Sequence, residues 1–185
     1  MDVEKAIRSR RTIKAFEPQP LERETLTELL ELARWAPNHH LTNPWRFRVV
    51  GPQALGRLKR AAGALAAAEA EGADAAEVAR AAAAKLDRAP TLVVCSVVPS
   101  ADPVEAEEDR HATAVAAYIV LLAAHGRGLA GYWRTPAVLR SAAGREAVGL
   151  GPEEEFVGLL HLGRAKQSAE APDRAPALRY TTYLD

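Results

Sequence analysis

The hydrophobic pattern of the first fifty residues predicts two helices followed by a strand. The first helix runs from a cap at Asp2 to about Ser9. In the second, leucines and alanines recur at helical spacing. It should end near Ala36, because the proline that follows disfavours helical geometry in the residue before it. The stretch WRFRVVG (residues 45–51) alternates and then becomes apolar, which predicts a strand.

The middle of the chain is rich in alanine and helical in composition. Residues 54–89 mix alanine with regularly spaced charges, which predicts two helices broken near Gly72. The apolar run TLVVCSVV (residues 91–98) lies between two prolines and predicts a buried strand. Residues 99–106 are expected to form a loop.

An apolar helix over residues 107–124 dominates the second half. Acidic residues occupy its first turn, where the helix dipole favours them, and the rest is apolar almost all round. That pattern predicts burial on more than one side. Glycines should end the helix, and further strands are expected near residues 131–133 and over 156–163. The tail RYTTYLD is β-prone but has no obvious partner within the chain.

Composition narrows the class of protein. The 185 residues contain 24 Lys plus Arg and 24 Asp plus Glu, so zero net charge gives no general attraction to nucleic acid or anionic membranes. No apolar run approaches the roughly 20 residues of a membrane span, and the N-terminus lacks a signal-peptide pattern. Cys95 is the only cysteine, which excludes an intrachain disulfide. We therefore expect one cytoplasmic domain over residues 1–185.

A cluster of positive charge stands near the start, in RSRRTIKAF (residues 8–16). Cations suit the end of a helix, so the run fits a solvated helix terminus. It also fits a clamp for a phosphate or carboxylate, because the guanidinium groups of Arg10 and Arg11 bind such anions bidentately and Thr12 adds a hydroxyl. Both interpretations are open on this run alone.

Two polar stretches lie further along. In APNHHLTNPWRF (residues 36–47) the histidines are adjacent and no second pair of ligands stands at metal spacing, so no metal site is predicted. The loop either lines a pocket or is an ordinary polar turn. In HGRGLAGYWRTP (residues 125–136) the glycines match the dinucleotide-binding spacing. They follow a helix rather than a strand, however, so that fingerprint fails on context.

Taken in order, RRTIKAFEPQPL, APNHHLTNPWRF, GLAGYWRT and GLLHLGRAK resemble the nitroreductase family of FMN-dependent oxidoreductases, in particular its short members. The resemblance spreads over most of the chain. It implies an α+β fold in which helices flank a central mixed sheet. It also implies an intertwined homodimer, with FMN at the interface and the C-terminal tail adding a strand to the partner's sheet.

The resemblance also assigns residues. Arg10, Arg11 and Thr12 match the segment that contacts FMN, and His39 matches a position that reaches the flavin of the partner subunit. Residues 123–128 match a region implicated in nicotinamide binding. Further cofactor contacts fall on Trp133, Arg134 and Thr135, with Arg164 and Lys166 as additional phosphate partners.

One departure stands at Trp35, where short relatives carry an arginine. Either Arg34 substitutes, or Trp35 packs on the flavin, or that contact is lost.

The implied activity is ping-pong electron transfer from NADH or NADPH, through FMN, to nitroaromatics, quinones or similar acceptors. No side chain is assigned as an acid or base catalyst. Two alternatives are a flavoprotein of the same fold with another redox role, such as dehydrogenation or flavin handling, and a non-enzymatic helical binding protein. Turnover with donors and acceptors distinguishes the first alternative, and a colourless protein would indicate the second.

Overall fold

A four-stranded sheet forms the centre of the structure, a computed structural model that describes residues 1–70 and 74–184. The strands are β1 (Trp45–Val49), β2 (Thr91–Val97), β3 (Ala130–Arg134) and β4 (Glu155–Gly163), in the order β1-β2-β4-β3. Their positions confirm the strands predicted from the sequence.

All three strand pairs are antiparallel, so the expected mixed sheet is wrong for these strands. The reason lies in the connections. Two helices join β1 to β2 and return the chain to the end where β1 finished, which makes β2 antiparallel to it. A single helix joins β2 to β3, but these strands do not pair with each other. β4 lies between them and is antiparallel to both. In the described part of the chain, parallel pairing is limited to the isolated bridge between Thr12 and Gly131.

Helices cover both faces of the sheet, as expected. They are α1 (Val3–Ser9), α2 (Arg23–Ala33), α3 (Pro52–Ala68), α4 (Ala75–Ala84), α5 (Pro103–Gly126) and α6 (Ala142–Ala147), with 3-10 turns at His39–Leu41, Ala137–Arg140 and Ala177–Tyr180. One apolar cluster joins α2 and α5 to the sheet, and a second joins α3 and α6 to its other face. The predicted break near Gly72 lies outside the described residues.

Helix α5 begins earlier than the sequence pattern predicted. Residues 103–106 were expected to be loop, but the helix starts at Pro103. The side chain of Asp102 accepts hydrogen bonds from the backbone N–H groups of Val104 and Glu105, at 2.9 and 3.1 Å. Proline at the first helical position loses no hydrogen bond, so the Asp-Pro pair starts the helix one turn before its apolar stretch.

Within one chain, α5 buries one side and leaves another open. Alanines and leucines of its inner side pack on α2 and the sheet, whereas Val115 and Tyr118 are more than a third exposed. The helix ends at Gly126, and Gly128, just after its C-cap Arg127, has a φ of 76°, the left-handed geometry that glycine adopts without strain. Burial of the second side therefore stays a prediction. None of the described helices combines the length and apolar character that crossing a membrane requires.

Candidate functional site

A cavity of about 450 Å³ lies where α1 ends, α5 ends and β3 begins. Its walls bring together residues far apart in sequence, and the chain that leaves β4 closes one side. The residues that line it include Ser9, Arg10, Arg11, His125, Gly128 and Lys166. The size falls within the range of small-molecule sites in proteins. We call this space the basic cavity.

Backbone pairing holds the walls of the basic cavity in place. Thr12 forms its bridge with Gly131 at the start of β3, and Phe16 pairs with Ala165. The backbone N–H of Lys166 also donates to the carbonyl of Ala15 at 3.0 Å. A Cβ at residue 131 would lie 2.9 Å from the carbonyl oxygen of His161, so only glycine fits at this position of β3 beside β4.

Two guanidinium groups of the basic cavity are incompletely satisfied. The Nε atoms of Arg10 and Arg11 are buried and have no hydrogen-bond partner in the described part of the chain. Arg11 Nη1 donates to the carbonyl of Arg10 at 2.7 Å, and the guanidinium of Arg10 lies 5.6 Å from the centre of the Tyr118 ring. No acidic side chain lines this cavity among the described residues. Buried donors without partners are costly, so the arrangement suits an anionic ligand.

The loop that carries His39 is strained and exposed. His40, Leu41 and Asn43 all have positive φ, at 56°, 52° and 49°, an unusual geometry for residues other than glycine. The rings of His39 and His40 stack with centroids 3.8 Å apart. His39 Nδ1 pairs with Glu108 Oε2 at 2.7 Å. Backbone strain of this kind persists only where surrounding contacts impose it.

The buried carboxylate of Asp109 supplies those contacts. This side chain on α5 is 2% exposed. It accepts a hydrogen bond from Thr42 Oγ1 at 2.5 Å and another from the backbone N–H of Ser100 at 2.9 Å. Asp109 therefore ties the loop of residues 38–43 to the N-terminal part of α5. We call this segment the histidine loop.

The structure unites only part of the predicted site. Arg10 and Arg11 share the basic cavity with Lys166, and residues 123–128 contribute two wall positions. Thr12 lies beside it without lining it, and Arg164 is exposed and also outside the lining. Trp35 is 79% exposed and, like His39, lies elsewhere on the chain surface. Their roles in cofactor binding stay predictions.

The end of β3 and the residue that follows it, Trp133 to Thr135, also lie apart from the basic cavity. The indole N–H of Trp133 donates to the carbonyl of Val157 at 3.3 Å, and its ring packs in the cluster beneath α2 and α5. Arg134 donates to the carbonyl of Lys85 at 3.3 Å and lines a separate cavity of about 180 Å³. Thr135 is exposed. A single chain does not bring these three residues to the basic cavity.

Sequence reasoning missed Ser9 and Asp109 as site residues, and it reached His125 only as one of residues 123–128, without a role of its own. Asp109 gave a readable signal, because an acid at helical spacing from the apolar positions of α5 must face the interior and needs a partner. Ser9 gave none, since its contact with His125 joins residues 116 positions apart.

Other reactive side chains do not build a catalytic centre. Burial raises the pKa of the Cys95 thiol to about 12, so it is no thiolate at neutral pH. His161 is fully buried on the sheet, where burial, followed by the charge of Arg134, lowers its pKa to about 4. Among the described residues, no group of three or more potential metal ligands occurs.

Fold and cavity together define an α+β protein with a cavity lined by cationic side chains at the end of α5. The chain belongs to the nitroreductase family, whose family model matches residues 7–164. It is therefore an oxidoreductase, which excludes the helical binding protein considered above.

Individual relatives cover nearly the whole chain. "Putative NAD(P)H nitroreductase YdjA" of Escherichia coli K12 is 30% identical over 96% of this chain and 98% of its own. A solved nitroreductase-like family protein from Bacillus cereus superposes with a TM-score of 0.85 at 25% identity, covering 100% of this chain and 97% of that one. A nitroreductase with bound FMN from Desulfitobacterium hafniense gives a TM-score of 0.73 at 22% identity, covering 98% and 97%.

Proposed function

We propose that the chain is an FMN-dependent oxidoreductase that passes electrons from NADH or NADPH to nitroaromatics, quinones or similar acceptors. Membership of the nitroreductase family supports this proposal, as do the relative named for NAD(P)H and the FMN-bound relative. The observation that carries it is the basic cavity, where the buried Nε atoms of Arg10 and Arg11 have no hydrogen-bond partner among the residues that the structure describes.

The residues of the basic cavity fit a phosphate-bearing cofactor. Arg10, Arg11 and Lys166 would hold its phosphate, because all three cations line a space in which none of the described residues places an acidic side chain. Gly128 and Gly131 have no side chains, so the backbone of the adjacent wall can approach a planar ligand closely. When bound, FMN supplies the hydride and electron chemistry.

The protein's own contribution is binding, orientation and access. The guanidinium groups fix one end of the cofactor and add positive charge, which favours any negative charge that develops nearby. No side chain needs to move a proton in this scheme. Donor and acceptor would use the same place in turn, which is the ping-pong order expected from the sequence.

We further propose that the working unit is a homodimer with exchanged tails. In the described part of the chain, no strand covers the outer edge of β1. The tail displays Leu178, Tyr180, Tyr183 and Leu184, each 71–91% exposed, which is unfavourable for apolar side chains in water. Pairing of one tail with the partner's sheet would cover both features. Trp35 and His39 would then contact the partner's cofactor.

The function is tested by colour and reduction. The purified protein should show flavin absorbance bands. In anaerobic stopped-flow mixing, NADH or NADPH should bleach these bands, and a quinone or nitroaromatic should restore them. Failure of both nicotinamides to bleach a bound flavin would refute the proposed donor. Bleaching without reoxidation by any acceptor in a screen would favour the flavoprotein with another redox role.

A further inference from the structure

His125 occupies the wall of the basic cavity without an assigned role. It stands in the last turn of α5 and lines the same space as Arg10, Arg11 and Lys166. One ring nitrogen, Nε2, lies 2.7 Å from the hydroxyl oxygen of Ser9. The ring is thus held beside three cations, where a positively charged histidine would ordinarily be disfavoured.

The Ser9 hydroxyl determines which nitrogen carries the proton. Ser9 Oγ donates its single hydrogen to the carbonyl of Lys5 at 2.6 Å. The same oxygen can then only accept from His125, so Nε2 is the protonated nitrogen of the neutral ring. Nδ1 carries a free lone pair and makes no hydrogen bond to the described residues. A second proton would therefore bind at Nδ1.

The charges around His125 oppose protonation in the empty cavity. Burial, and then the positive charges of Arg10 and Arg11, lower its pKa below the ordinary value. Lys166 lines the same space, and its positive charge acts in the same direction. The C-terminal end of α5 acts the other way, because a helix C-terminus favours a cation. Because its pKa is lowered below the ordinary value of 6.5, the ring is neutral near pH 7 in the empty cavity.

We propose that His125 is a proton-coupled ligand of the phosphate group that occupies the basic cavity. When a dianionic phosphate monoester enters, Nδ1 takes up one proton from solvent and the ring charge changes from zero to plus one. The dianion supplies the negative charge that the cavity lacks, so the imidazolium becomes favourable beside it. This inference rests on the proposed binding of FMN and adds a residue and a pH dependence to that site.

A glutamine at residue 125 provides the discriminating variant. His125→Gln keeps an N–H group to donate to Ser9 but cannot gain a proton. His111→Gln is the matched control, because His111 is an exposed histidine of the same helix that does not line the cavity. Equal thermal unfolding midpoints for the three proteins would show that the fold is unchanged.

The measurement is FMN affinity as a function of pH. The flavin-loaded protein is diluted in buffers from about pH 6 to about pH 8.5, the range in which histidine titrates, and released flavin is followed by fluorescence. The phosphate of FMN also titrates near pH 6, but it does so equally in every variant. The informative quantity is therefore the ratio of the dissociation constants of variant and wild type. Riboflavin, which lacks the phosphate, is measured in parallel.

The expected result is a ratio that depends on pH. His125→Gln should bind FMN about tenfold more weakly than wild type near pH 6, with the two converging near pH 8.5, because a charge-assisted hydrogen bond is lost only where the ring is protonated. His111→Gln should follow wild type, and riboflavin should show no pH-dependent difference. A constant ratio across pH, or the same trend with riboflavin, would overturn the inference while leaving the proposed function intact. A protein that binds neither flavin would overturn both.

Discussion

The basic cavity and the histidine loop were both predicted to hold the cofactor, yet they differ in completeness. The basic cavity is lined by residues of one chain, and the buried Nε atoms of Arg10 and Arg11 have no hydrogen-bond partner in the described ranges. The histidine loop is strained, pinned from beneath by Asp109, and open on its outer side. We infer that the basic cavity is the half of the site that one chain forms by itself. The histidine loop would be the half that this chain supplies to the cofactor of a neighbouring chain.

The largest expected effect comes from the basic cavity. Replacing Arg10 and Arg11 together with alanine removes two charge-assisted contacts, which contribute about 3–6 kcal/mol together and change affinity roughly a hundredfold to ten-thousandfold. The double variant should fold but be almost colourless, as measured by the ratio of flavin to protein. Arg8→Ala is the control, because Arg8 is an exposed arginine of the same run outside the cavity. Full flavin content in the double variant would remove this region from the site.

Low pH limits the range in which the two regions can be compared, because acid should destabilise the sheet that supports the basic cavity. The pKa of His161 is about 4 in the folded chain and 6.5 in the reference state. Its neutral form therefore stabilises the fold above pH 6.5, and that contribution is lost as pH falls from 6.5 towards 4. The loss amounts to about 3 kcal/mol.

Denaturant unfolding measured at a series of pH values checks this expectation. His161→Leu should flatten the acid side of the stability curve, whereas His111→Leu on exposed α5 surface should not. An unchanged slope in His161→Leu would assign the acid sensitivity to other groups. Binding measurements above pH 6 stay clear of most of this loss.

The histidine loop should respond to its buried anchor. Asp109→Ala leaves the Thr42 hydroxyl and the Ser100 N–H without their acceptor, which should lower the free energy of unfolding by about 1–3 kcal/mol. Flavin occupancy should fall as well, because the loop carrying His39 loosens. Glu107→Ala, an exposed acid of the same helix, should change stability by no more than about 0.5 kcal/mol. Lost stability with unchanged flavin occupancy would separate the loop from the site.

The smallest effect concerns the departure at residue 35. Trp35→Ala should weaken FMN binding about two- to tenfold, the contribution of one aromatic stacking contact. Arg34→Ala should leave FMN binding unchanged, because that guanidinium pairs with Glu31 on the surface at 3.1 Å. Fluorescence titration with FMN measures both. The reverse outcome would show that Arg34 replaces the arginine of the relatives.

Sequence reasoning reached the elements more readily than the site. Apolar periodicity located α2 and the four strands, because burial on a sheet demands that spacing. It placed the start of α5 too late, since the helix begins with an Asp-Pro cap rather than with its apolar residues. Arg10 and Arg11 were found from local charge and resemblance. The contact between His125 and Ser9 was not predicted, because these residues come near each other only through the tertiary fold.

The two half-sites become one site only if chains pair, and the tail is the segment proposed to pair them. Deleting residues 178–185 should therefore weaken the dimer and lower FMN occupancy together. Unchanged dimer stability and unchanged FMN occupancy after the deletion would assign the tail no part in the assembly.

Light scattering combined with flavin absorbance on the full-length protein tests the shared site most directly. The account predicts a particle of twice the chain mass that carries one FMN per chain, hence two per dimer. A monomer that still holds FMN at full stoichiometry would contradict it, because the basic cavity of one chain would then be the whole site.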